Sequence, residues 1–193
     1  MCTNDVHKPI LKPVLLLILS LVIASPTASA ERPYIIDHIS ISSIKFLIYP
    51  YWALDYQATT PGGAYIEEYR PPGQTVLDWR EMFTWQYFPN WPGKATPRAI
   101  MDDLKRIRMS QNPETEWKII TKTKDSIIYE WKVRKSRHDE YEPGIGDYYE
   151  IARIVLGADG IHIFHYATKN ADFSLHDRRE WARTLNKIDL ISK

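Results

Sequence analysis

Residues 148–168 constrain the fold more than any other stretch of this sequence. Tyr148 to Leu156 and Ile161 to Thr168 are runs of β-branched, aliphatic and aromatic residues, joined by Gly157-Ala158-Asp159-Gly160. Two such runs across a short glycine-bearing loop read as an antiparallel hairpin. If Leu156 pairs with Ile161, the whole register follows. Ala152 then faces His165, Ile154 faces Ile163, and Glu150 faces Ala167. Glu150 and His165 become diagonal neighbours on one face, within reach of long side chains.

The flanking sequence extends this hairpin. Trp117 to Thr123 and Ile127 to Arg134 form a second one across Lys124-Asp125-Ser126. Glu81 to Phe88 reads as a strand, with Phe83, Trp85 and Tyr87 on one face and Met82, Thr84 and Gln86 on the other. Ile44 to Tyr49 and Ala64 to Tyr69 are further strands, set off by Pro50, Pro61-Gly62-Gly63 and Pro71-Pro72-Gly73. Thr75 to Trp79 suits one helical turn. One helix starts with Thr96 as N-cap and Pro97 in the first turn, where the missing N–H costs nothing. Its apolar positions are Ile100, Met101, Leu104 and Ile107, and Asn112-Pro113 stops it. A last helix begins at Ser174, has Asp177 as a capping acid, and carries Trp181, Leu185 and Ile188 on one stripe. The expectation is an α+β domain: an antiparallel sheet of about six to seven strands, with two main helices packed over a face.

Residues 1–30 say where such a domain works. Lys8 and Lys12 precede an apolar run from Val14 to Ala24, Pro26 ends it, and Ala28-Ser29-Ala30 supplies small residues for a peptidase. This is the pattern of a secretory signal, followed by a single domain over residues 31–193. The eleven-residue run is short for a membrane-spanning helix. Retention of the segment as an anchor is the alternative. Cys2 precedes the apolar run, so it does not stand where a lipoprotein carries its lipid. Cleavage after Ala30 leaves 163 residues and no thiol. Lys8, Lys12 and Asp5 leave with the signal, so 23 basic residues balance 23 acidic ones. That neutrality gives no electrostatic case for nucleic acid or for an anionic membrane surface. Without disulfides the domain must rely on packing. Its seven Trp, twelve Tyr and five Phe supply large apolar areas.

The layout from Pro97 to the end resembles the PsbP/Mog1-like fold, shared by PsbP-type photosystem II subunits and a Ran-binding nuclear import factor. The residues that carry this are the helix Pro97–Met109, Ile127-Ile128-Tyr129-Glu130-Trp131, the 149–166 hairpin and the closing helix around Trp181 and Leu185. In addition, Trp79-Arg80-Glu81-Met82-Phe83-Thr84-Trp85-Gln86 resembles a Trp-x-Glu-Met-x-Thr-x-Gln stretch of small exported bacterial proteins. Both resemblances imply a binding or assembly module, because members of that fold are mostly not enzymes; fold analogy fixes no partner.

No Gly-x-Ser-x-Gly elbow and no processed-chain cysteine offers a nucleophile. His162 and His165 are an odd number of residues apart on one strand, so their rings point to opposite faces and cannot chelate one ion. Asp139-Glu140-Tyr141-Glu142 lacks the ligand spacing of a calcium loop and reads as a solvated charged loop. Glu150 beside His165 on an apolar face is a candidate functional pair, or more plainly a histidine satisfied by its neighbour. The stretch from Trp79 to Trp91 is the other candidate. Phe88-Pro89-Asn90-Trp91-Pro92-Gly93 places Trp91 in a turn-rich loop, with Glu81, Thr84 and Gln86 nearby as polar groups on one strand face. That could be a ligand groove, including one that stacks sugars, unless Trp91 folds back over the sheet edge.

The resulting expectation is an exported, non-enzymatic module that binds a protein or a small ligand, requires no cofactor or metal, and leaves the membrane after signal cleavage. Its candidate binding residues are Trp79, Glu81, Thr84, Gln86, Trp91, Glu150 and His165. The alternative is a hydrolase of envelope or host glycans using two carboxylates drawn from Glu67, Glu68, Glu81, Glu130 and Glu150.

Overall fold

Tyr148–Leu156 and Ile161–Thr168 pair antiparallel with Leu156 opposite Ile161 and Ala152 opposite His165, the register read from the sequence. The computed structural model describes residues 52–74, 79–89, 96–134, 147–170, 173–188 and 190. In chain order its elements are β1 (Ala53–Thr59), β2 (Tyr65–Arg70), β3 (Glu81–Phe88), α1 (Pro97–Gln111), β4 (Glu116–Lys122), β5 (Ser126–Val133), β6 (Tyr148–Leu156), β7 (Ile161–Thr168) and α2 (Leu175–Asn186). The expected strand at Ile44–Tyr49, the turn at residues 75–78, Trp91 and the acidic loop all lie outside the described residues.

All seven strands join one antiparallel sheet in the order β1-β2-β3-β7-β6-β5-β4. Two meanders meet at its centre. The first, β1 to β3, runs outward to inward. The chain then crosses by α1 to the far edge and returns through β4, β5, β6 and β7 until β7 pairs with β3. The expected α+β architecture is therefore present, with one missed strand. β1 escapes a sequence reading because Ala53-Leu54-Asp55-Tyr56-Gln57-Ala58-Thr59 has little β-branched character. It is an edge strand, alternately exposed, and bulged between Leu54 and Tyr56.

The helices begin where their caps predict. The Thr96 side chain accepts from the Ala99 N–H, with Pro97 in the first turn, and Asn112 is the C-cap. Ser174 accepts from the Asp177 N–H at the start of α2. The helices do not share one face, as expected from the sequence, but lie on opposite faces. Ile100 and Met101 of α1 pack with Ile127, Tyr129, Trp131, Ala152, Ile154 and Ile163. Trp181, Leu185 and Ile188 pack with Phe83, Trp85, Ile151, Phe164 and Tyr166 on the other side. The reason is that the central strands are apolar on both faces: Ile151, Ala152 and Ile154 are each fully buried. A sheet of that kind must be covered twice.

Two local devices hold this arrangement. At the β6–β7 turn Gly160 has φ of +150°, and a Cβ there would run into the carbonyl oxygen of Phe88. On the α2 side, Arg153 of β6 reaches the C-terminal end of the helix. Its Nη1 donates to the carbonyl oxygens of Leu185 (2.7 Å), Asn186 (3.2 Å) and Ile188 (2.7 Å), and its Nε donates to Ser126 Oγ (2.9 Å). A guanidinium there satisfies orphan carbonyls and complements the helix dipole. Arg153→Met keeps the aliphatic stem but loses these bonds. It should cost about 1.5–3 kcal/mol, as charged hydrogen bonds do, and thermal unfolding measures it.

Candidate functional site

The face that carries α1 is unevenly furnished. α1 packs over β5 and β6. On the neighbouring strands the same face presents polar side chains in register: Glu68 of β2 opposite Thr84 of β3, and Thr84 opposite His165 of β7. Gln86 and Glu150 lie on the same face one pleat away, in β3 and β6. Glu68, Thr84, Gln86 and Glu150 are all buried. A buried polar group without a partner is costly, so their partners define the site.

His165 is the hub. Its Nδ1 lies 3.0 Å from Glu150 Oε1 and its Nε2 lies 3.3 Å from Gln86 Oε1. The Gln86 amide can turn over, so it can serve either protonation state of the ring. The Tyr148 hydroxyl donates to the second oxygen of Glu150 at 2.9 Å. Burial opposes a charge on Glu150, yet His165 beside it, with help from Arg108 and the Trp131 indole, holds its carboxyl down to about 2. Glu68 behaves oppositely: burial pushes its carboxyl up, against a weaker pull from His165. Burial beside the Glu150 charge raises the Tyr148 phenol well above its usual range.

These shifts fix a pH dependence. Glu150 is depressed in the fold, so its stabilisation is present above the ordinary carboxylate range and is lost as pH falls from about 4.5 toward 2, by on the order of 3 kcal/mol. Glu68 is raised, so its contribution is present at acid pH and lost as pH rises through its folded value. Denaturation midpoints between pH 7 and pH 2 should therefore show a steep acid loss that Glu150→Gln flattens. Glu68→Gln should raise the midpoint at neutral pH. A flat Glu68→Gln response there would mean that its carboxylate is better solvated than its burial implies.

An aromatic row borders the cluster. Tyr148 stacks on Trp131 with centroids 4.7 Å apart, and Trp131 is nearly parallel to Trp117 at 6.4 Å. Trp79 meets the other side of Tyr148 edge-on at 5.9 Å. Two cations cap the row: the Arg108 guanidinium 4.6 Å from the Trp131 ring centre and Lys169 Nζ 4.7 Å from that of Trp79. Trp79 and Tyr148 are half-buried and Lys169 is exposed.

Thr84, Gln86, Glu150 and His165 thus come together, and Trp79 joins them through Tyr148. Glu81 does not. The sequence reading put it with Thr84 and Gln86, but an odd position points to the other face, where Glu81 accepts from the Tyr166 hydroxyl at 3.1 Å. Trp91 lies outside the described residues. His162 and His165 do point to opposite faces, His162 stacking on Trp85 and contacting Asp159 at 3.1 Å. Sequence reasoning missed Tyr148, and it named Glu68 only as one of five available carboxylates, without placing it beside His165. Tyr148 was within reach, being two residues from Glu150 and hence on its face. Glu68 was not, since it enters only through β2–β3 and β3–β7 pairing.

Two other buried carboxylates, both facing the α2 side, are likewise enclosed. Tyr65 and Tyr69 hydroxyls donate to the two oxygens of Glu67 at 2.7 and 2.5 Å. Arg178 of α2 grips Glu130 of β5 with Nε and Nη2, and the Tyr149 hydroxyl donates to it at 2.7 Å. Among the described residues no three His, Cys, Asp or Glu side chains group as a metal site, and no helix is long and apolar enough to cross a membrane. No protein-family model, curated protein or solved structure matches this chain.

Proposed function

We propose that this protein is an exported, non-enzymatic binding module whose contact surface is the strip formed by Trp79, Tyr148 and Lys169 above the Glu150–His165 cluster. The observation that supports this reading is that three of the four buried acids among the described residues are already occupied, Glu68 being the fourth. Glu150 gives one oxygen to His165 and the other to Tyr148; Glu67 and Glu130 each accept on both oxygens. A general acid or base must have a position left for the substrate proton. Groups so enclosed instead rigidify the surface above them, which favours recognition over turnover. The layout resemblance to the PsbP/Mog1-like fold leans the same way.

The test uses the protein as bait on the exported fraction of its host. Trp79→Ala combined with Lys169→Ala should abolish capture of the partner while leaving the melting temperature within a few degrees. If instead the protein hydrolyses envelope glycans and Glu150→Gln or Glu68→Gln abolishes that hydrolysis, the module reading fails and the carboxylate hydrolase replaces it. Export has its own check. N-terminal sequencing of exported protein should start at Glu31-Arg32-Pro33, and Met1 still attached would refute the cleaved signal.

A further inference from the structure

On the opposite side of the sheet from the Glu150–His165 cluster, a cavity of about 530 Å³ opens between β4, β5 and the start of α2. That lies within the range of ordinary small-molecule sites, about 300–1,000 Å³. Its wall is uneven in charge. Lys118, Lys132, Arg134 and Arg178 face two carboxylates, Glu116 and Glu130. Both carboxylates are engaged within the protein: Glu130 by Arg178 and Tyr149, and Glu116 by Lys132 at 3.1 Å. Lys118 is directly opposite Glu130 in the β4–β5 register, and so shares its face. It is exposed and makes no ion pair among the described residues. Phe173 supplies an apolar wall beside these charges and stacks on Tyr149 with centroids 5.1 Å apart.

We infer that this cavity binds a small organic oxyanion, a carboxylate or a phosphate ester, with Lys118 as the cation that the ligand neutralises and Phe173 as the surface its apolar part covers. The charge inventory selects an anion, since a cation would meet four positive side chains, a Glu130 whose two oxygens are already taken and an exposed Glu116 already paired with Lys132. The floor is built before any ligand arrives. The Arg178 fork on Glu130 and the Tyr149 hydroxyl set the side chains in place, so little ordering remains to be done on binding. This inference does not depend on the strip around Trp79, which lies on the other face.

The experiment is a titration of the full-length protein with two probes, inorganic phosphate and benzoate, followed by backbone and arginine Nε–H resonances. Saturable shifts are expected at residues 117–119, 130–132 and 178, with Lys118→Gln weakening the binding at least tenfold. Lys118 is exposed, so this variant should keep the wild-type melting temperature. Lys124→Gln, an exposed lysine outside the cavity, should bind like wild type. Tighter binding of benzoate than of phosphate identifies a ring-bearing carboxylate, and the reverse identifies a phosphoryl group; either supports the site. The inference is overturned if neither probe gives saturable shifts, or if Lys118→Gln binds as well as wild type.

Discussion

Replacing Trp181 with alanine is expected to lower stability by about 3–5 kcal/mol, the usual cost of truncating a core tryptophan. The ring lies against Tyr166 with centroids 3.9 Å apart and planes tilted by only 16°, and it also stacks on Phe83 at 6.3 Å and touches Trp52 at 6.2 Å. It therefore anchors α2 on β3 and β7 together, the two strands that join the meanders. Losing it leaves a cavity at the seam of the sheet. Since a domain's whole stability is about 5–15 kcal/mol, the variant should unfold at a much lower denaturant concentration. An unchanged midpoint would show that α2 is docked by Arg153 and Arg178 alone.

Arg178→Ala should be nearly as damaging, though through charge. Glu130 is 7% exposed and would keep only the Tyr149 hydroxyl as a donor. Breaking one partner of a buried pair costs about 3–5 kcal/mol, and the lower end applies here because Arg178 is 31% exposed. The arrangement makes a sharper test available. Removing both charges, in Arg178→Met with Glu130→Leu, leaves no stranded carboxylate and should recover most of the loss. Equal damage from the single and double variants would mean that the arginine acts by packing its stem and not by neutralising Glu130. Tyr149 reports on the same contact, since burial and its bond to Glu130 push the phenol upward.

Both effects come from elements that were legible in the sequence at different depths. Helix boundaries were local matters. Thr96 with Pro97, and Ser174 with Asp177, each place a side-chain oxygen where an orphan N–H needs one, whatever the rest of the chain does. The Trp181, Leu185, Ile188 stripe follows from helical spacing alone. The β6–β7 register was equally local, because runs of nine and eight residues across a four-residue loop leave little freedom. That is why the Glu150–His165 contact is legible in the sequence itself.

What lay beyond the sequence was decided by pairings between distant segments. β1 became a strand only because β2 offered it an edge, against the weak preference of its own residues. The apposition of Thr84 to His165 spans 81 residues and depends on β7 closing onto β3. Glu68 reached the cluster through the same closure. Opposite placement of α1 and α2 followed from a central sheet that is apolar on both sides, a property of the assembled strands taken together. Local chemistry therefore determined caps, stripes and hairpin register, since those involve residues a few positions apart. The union of the two meanders, and with it the cluster of acids around His165, required loop closure over long separations, and only the free energy of the whole packed sheet could select it.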